Sequence, residues 1–125
     1  MTTTVLLNGT LIDGTGRDPV ERAAVVIEDG IITHSGPADA VPRPADARVV
    51  DLDGRTVMPC LLDAHVHLGI VDLSVSPPNR DSLAVWAMKV KQNIEETLDA
   101  GFTTVRDAGG IDGGFAKAVE EGLIR

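Results

Sequence analysis

From Thr56 to Leu68 the chain reads TVMPCLLDAHVHL, an almost unbroken apolar run that closes on an aspartate and two histidines. A half-exposed strand alternates apolar with polar residues, whereas a continuous apolar run suits a strand covered on both faces, as in a parallel sheet. The segment therefore predicts a parallel strand beginning after Arg55, and parallel strands are joined by helical crossovers. Between Asp81 and Ala100 the spacing is helical. Leu83, Trp86, Ala87, Val90, Ile94 and Leu98 fall on one face, Lys89, Gln92, Glu95, Glu96 and Asp99 lie opposite, and Gly101 marks the C-cap. FTTVRDAGG then reads as a second strand and GGFAKAVEEGLI as the start of a second helix. Such βαβα order implies parallel pairing with a right-handed crossover.

The first 56 residues have another texture. VLLNG, GTLIDG, AAVVIEDG, IITHSG and ARVVDLDG read as short strands, each closed by a glycine-containing turn, and suggest a small β-sandwich. Asp29-Gly30 joins two β-branched runs as a two-residue hairpin loop, with glycine supplying a positive φ. Pro37, Pro42 and Pro44 interrupt the pattern in SGPADAVPRPADA, which reads as a surface loop because proline removes backbone donors. The fold class is thus α/β. Residues 1–56 would be the N-terminal part of a β-sandwich domain, and residues 57–125 the first βαβα units of an incomplete TIM-like (β/α)8 barrel. Closure takes about eight such units and typically about 250 residues.

The formal charge of -8 and pI near 4.6 oppose binding to nucleic acid or to anionic membrane surfaces, which both call for clustered lysine and arginine. Cys60 is the only cysteine, so no intrachain disulfide forms, and the start MTTTVLLNGT lacks the basic and apolar regions of a secretory signal. No apolar run approaches the roughly 20 residues that span a bilayer. These features read as a soluble, cytoplasmic protein. With no tyrosine and 2% aromatic content, few platforms exist for stacking bases or sugars.

The chemistry concentrates at the end of the apolar run. Side chains alternate along a strand, so Asp63, His65 and His67 share one side and two imidazoles converge where one ion can be held. A bare HxH is more often a polar strand terminus. Here it closes a parallel-type strand, the end at which barrel enzymes place their chemistry. Asp63 would orient an imidazole or else bond backbone amides. Arg106 and Asp107, at the end of the second strand, would contact substrate or form an ion pair that fixes the following glycine loop. Neither His34, on the hairpin, nor Cys60, in its apolar segment without a histidine partner, reads as a site residue. The glycine pairs at 109–110 and 113–114 match no phosphate-binding pattern and read as loop residues.

GRTVMPCLLDAHVHL resembles the signature of the amidohydrolase superfamily, and GFTTVRDAGG resembles its imidazolonepropionase-like and Xaa-Pro or Xaa-Arg dipeptidase-like branch. VLLNGTLIDGTG and VVIEDGIITHSG are similar to the family's opening β-sandwich strands, while Cys60 stands where the pattern usually has glycine. The resemblance implies that His65 and His67 bind the more buried ion of a mono- or binuclear centre, zinc or another divalent metal. Its hydroxide would attack a small-molecule amide, a dipeptide or a cyclic amide. The family's bridging lysine or glutamate, two further histidines and proton-shuttling aspartate belong to later strands than this sequence contains, so the catalytic residues are expected outside it. A different class of reading is a catalytically silent remnant or a small binding module. Uncovered strand edges and helix faces would also permit a homo-oligomer. Because two ligands are fewer than the three of a catalytic zinc site, the purified chain is expected to hold metal weakly and to leave dipeptides and lactones intact. Metal analysis with a hydrolase panel checks both points, and stoichiometric zinc with robust turnover would refute them.

Overall fold

The β-branched and apolar residues from Thr3 to Leu11 form β1, the strand around which the first half of the protein is organised. The computed structural model describes residues 2–71 and 82–125. They divide into two units, Met1–Pro59 and Cys60–Arg125. In the first, β1, β2 (Val20–Glu28), β3 (Ile31–Pro37) and β4 (Arg48–Asp51) make one mixed sheet in the order β3-β2-β1-β4, and β5 (Thr56–Val57) also pairs with β1.

The β2–β3 hairpin turns on Asp29 and Gly30, at φ 48° and 84°. Positive φ at both central residues defines the type I′ turn, whose twist matches that of the flanking strands. The Asp29 carboxylate also accepts the Thr2 amide at 2.8 Å. VLLNG and GTLIDG, expected as two strands, are one. Asn8 takes φ 60°, the β1–β2 register shifts around it, and β1 exchanges a parallel partner there, from β4 at Thr4–Leu7 to β5 at Thr10–Leu11. Gly9 serves a close approach rather than a turn, since a Cβ would lie 2.6 Å from both the Arg55 carbonyl oxygen and Leu52 Cδ1.

Apolar residues cover both faces of this sheet. Val5, Ala24 and Val26 are buried on one, and Leu11, Ala23 and Val25 form a second cluster. The proline-rich segment is irregular between residues 38 and 47, as its prolines require, yet it is more than surface. Val41 is buried in the first cluster, with Ala38 and Ala47 packed beside it. Proline forbids a regular ladder there but leaves the intervening apolar side chains free to cap the sheet.

In the second unit, β6 (Leu61–Val66) and β7 (Phe102–Asp107) pair in parallel across α1 (Leu83–Asp99), and α2 (Gly113–Glu120) follows. The expectation of one strand from Thr56 onward is corrected: Thr56–Val57 belongs to the first sheet and Leu61–Val66 to the second. Pro59 lies between them, and its missing N–H cannot join either ladder. Neither is β6 sealed on both faces, for Leu62 is 72% exposed. Cys60, which lies in an apolar segment of the sequence, is exposed, and its φ is not positive, so the glycine of the family pattern is not needed for backbone freedom here.

Ser82 caps α1 by accepting the Val85 amide at 3.4 Å; the expected start at Asp81 lies outside the described residues. Val90 is fully buried and Trp86 packs edge-on against Phe115 of α2, with ring centroids 5.7 Å apart. Leu83, placed on the apolar face by its spacing, is 76% exposed, because it stands in the helix's first turn. At the other end Ala100 is the C-cap and Gly101 follows at φ 97°, its amide donating to Leu98. A residue with a Cβ is strained in that region, so Gly101→Ala is expected to destabilise the second unit by about 1–2 kcal/mol. Urea denaturation checks this, and an unchanged midpoint would contradict the need for glycine just beyond the cap.

Candidate metal centre

β6 does not run straight into its histidines. The β6–β7 register is regular at Asp63–Val105, then breaks before resuming at Val66–Asp107, so Ala64 and His65 lie off the ladder. A bulged segment must find other partners for its backbone groups. Two of the side chains singled out by sequence provide them. Asp63 accepts the amide of His65 at 2.9 Å, and Arg106 donates to the carbonyl of Ala64 at 3.4 Å. Asp63 thus takes the backbone role, not that of an imidazole acceptor. The expected Arg106–Asp107 ion pair does not form, because neighbouring strand residues point to opposite faces. Arg106 turns to the bulge and Asp107 to the loops.

Those loops hold His67. The strand ends at Val66, and a turn closed by the Ile70 amide on the His67 carbonyl (3.1 Å) follows at once. Asp107 accepts the Leu68 amide through one carboxylate oxygen and the Gly109 amide through the other, each at 2.8 Å. From α1, Asn93 donates to the Leu68 carbonyl at 3.1 Å and Trp86 to the Gly69 carbonyl at 3.0 Å. Gly69 and Gly110 pass so closely that a Cβ on Gly69 would run into the carbonyl of Gly110. Asn93 belongs to no motif. Its signal in the sequence is its place on the Trp86–Val90–Asn93–Thr97 stripe, where two polar side chains follow two apolar ones on the same helix face.

The two imidazoles meet on one side and both are exposed. His65 Nε2 and His67 Nε2 are 3.2 Å apart, with ring centroids at 5.1 Å and planes at 75°. The Gly109 carbonyl lies 2.7 Å from His67 Nδ1. A carbonyl only accepts, so Nδ1 donates to it, and in the neutral ring this leaves the lone pair on the Nε2 that faces His65. Two nitrogens held 2.0–2.1 Å from a tetrahedral zinc would stand about 3.3–3.4 Å apart, so the spacing matches one edge of that coordination shell. Among the described residues, no group of three or more histidine, cysteine, aspartate or glutamate side chains is placed to hold an ion. His34 is exposed on β3, in the other unit.

An open groove of about 530 Å³ runs beside His67, lined by Asp63, His67, Asn93, Glu96, Thr97 and Phe102 among others. A larger cavity of about 620 Å³, with Leu68, Ile94, Phe102, Val105 and Phe115 in its walls, includes neither imidazole. We place the site at the imidazoles, because the larger cavity is predominantly apolar and holds no pair of convergent donors. No described helix is long and apolar enough to cross a membrane.

Residues 56–124 match the model of the amidohydrolase family. The chain is 40% identical to a 5-methylthioadenosine/S-adenosylhomocysteine deaminase of Symbiobacterium thermophilum, an alignment covering 97% of this chain and 32% of that protein. It is 42% identical to an imidazolonepropionase of a Methylobacterium species over 47% of this chain and 15% of the relative. It superposes with a TM-score of 0.86 and 32% identity on the crystal structure of a prolidase complexed with N-methylphosphonate-L-proline, covering 99% of this chain and 30% of that one. The chain therefore spans about a third of the length of the relatives that it matches along nearly all its residues. With more than half of its residues matching the family model and almost all of its backbone following a prolidase, this chain belongs to the amidohydrolase family.

Proposed function

We propose that the chain is the amino-terminal part of a metal-dependent amidohydrolase that cleaves C–N bonds in a small amide, dipeptide or cyclic amide. His65 and His67 are two ligands to zinc or another divalent ion. The observation that carries the reading is the 3.2 Å separation of their Nε2 atoms, with His67 turned by the Gly109 carbonyl so that its lone pair faces the shared locus. In this reading β6, α1, β7 and α2 begin a TIM-like barrel, and the first sheet is part of a β-sandwich domain. The deaminase, imidazolonepropionase and prolidase among its relatives support a small C–N substrate.

A bound divalent ion supplies Lewis-acid polarisation and an acidified water. The residues of this chain prepare the place for it. His65 and His67 present their Nε2 atoms to one locus. Asp63 and Arg106 hold the bulge that carries His65, and Asp107 with Asn93 holds the loop beyond His67. The carboxylate that shuttles the proton and the remaining ligands come from other strands, and the protein acts in the cytoplasm.

Calorimetric titration with zinc tests the ligand assignment. The chain is expected to bind weakly and one-to-one, and His65→Ala and His67→Ala are each expected to reduce affinity on the order of 100-fold, since losing a ligand exceeds the 10–100-fold typical of an outer-shell partner. Equal affinity in either variant would remove that residue from the centre. Gly69→Ala is expected to weaken zinc about tenfold by forcing the Gly110 backbone, and with it Gly109, away from His67. Gly113→Ala, with open space around the added Cβ, is the control, and equal behaviour of the two variants would show that the close approach does not matter.

A further inference from the structure

Asp107 touches the backbone on both sides of His67. One carboxylate oxygen accepts the amide of Leu68, the residue next to His67, and the other accepts the amide of Gly109, whose carbonyl lies 2.7 Å from the His67 ring. The hydrogen bonds therefore close a circuit: His67 ring to Gly109 carbonyl, Gly109 amide to Asp107, Asp107 to Leu68 amide, and Leu68 back to the His67 backbone. The Ala108 amide, donating to the Val66 carbonyl at 2.8 Å, anchors the circuit to the last rung between β6 and β7. Two amide donors converge on one side chain, and only an ionised carboxylate offers two acceptor oxygens with no donor of its own.

Resting on the proposed ligand role of His67, we infer that Asp107 is a positioning residue for that histidine. Its carboxylate fixes where the Gly109 carbonyl points, and that carbonyl determines which ring nitrogen carries the proton. The effect passes through the backbone and needs no contact between Asp107 and an ion or substrate. Asn93 and Trp86 restrain the same turn through the carbonyls of Leu68 and Gly69, so loss of turn anchoring is separable from loss of ring control.

Long-range 1H–15N correlation spectra of the metal-free chain, recorded where the imidazoles are neutral, read the His67 tautomer directly. The wild-type chain is expected to hold the Nδ1–H form, whereas Asp107→Asn, which keeps the shape but only one acceptor, is expected to give a mixture of tautomers and about tenfold weaker zinc binding. Asn93→Ala, which also removes one hydrogen bond to the turn, is expected to retain the wild-type tautomer. Retention of Nδ1–H in Asp107→Asn, or an equal shift in Asn93→Ala, would overturn the positioning role. If the wild-type chain takes up no zinc the ligand reading fails, while the tautomer spectra still decide whether Asp107 controls the ring.

Discussion

The second half of this protein depends on how two parallel strands end. Parallel pairing stops at Val66 and Asp107, and at that point backbone donors and acceptors lose their ladder partners. Asp107 takes up two of the freed amides, and the Gly109 carbonyl is left aimed at a histidine ring. Satisfying the end of a sheet and orienting an imidazole are here one arrangement. Barrel-type folds place their chemistry at strand C-termini for a related reason: the chain must turn there, and turning exposes polar groups that side chains and ligands can use.

The same economy appears at the bulge before the site. Ala64 and His65 leave the ladder, and Asp63 and Arg106 replace the lost partners from either strand. Charged side chains that look like candidates for substrate contact are occupied with the backbone. The imidazoles remain exposed and turned toward each other, with the surrounding polar groups drawn into their support.

Most of the architecture was legible from local patterns. The Asp29-Gly30 hairpin, the helix ending before Gly101 and the order of strand and helix after Leu61 each follow from backbone chemistry within a few residues. The misreadings have a common origin. VLLNG and GTLIDG looked like two strands because glycine marks turns, yet Gly9 is there to let Arg55 and Leu52 approach. TVMPCLLDAHVHL looked like one strand because its hydropathy is continuous, yet its two ends pair with different sheets. Leu83 and Val41 exchanged their expected environments, since periodicity shows which residues share a face but not what lies against it.

At the candidate centre, residue type and spacing pointed to two imidazoles on one side of the chain, because alternation along an extended chain is a property of the chain alone, but not to the bulge at Ala64 and His65 or to the strand end before His67. Everything that gives the pair a direction came from distant segments: the carbonyl of Gly109, 42 residues from His67, the amide of Asn93, 25 residues from Leu68, and the contact of Gly69 with Gly110. Hydrogen bonds act over about 3 Å. No local pattern can therefore reveal a partner that only folding brings within reach.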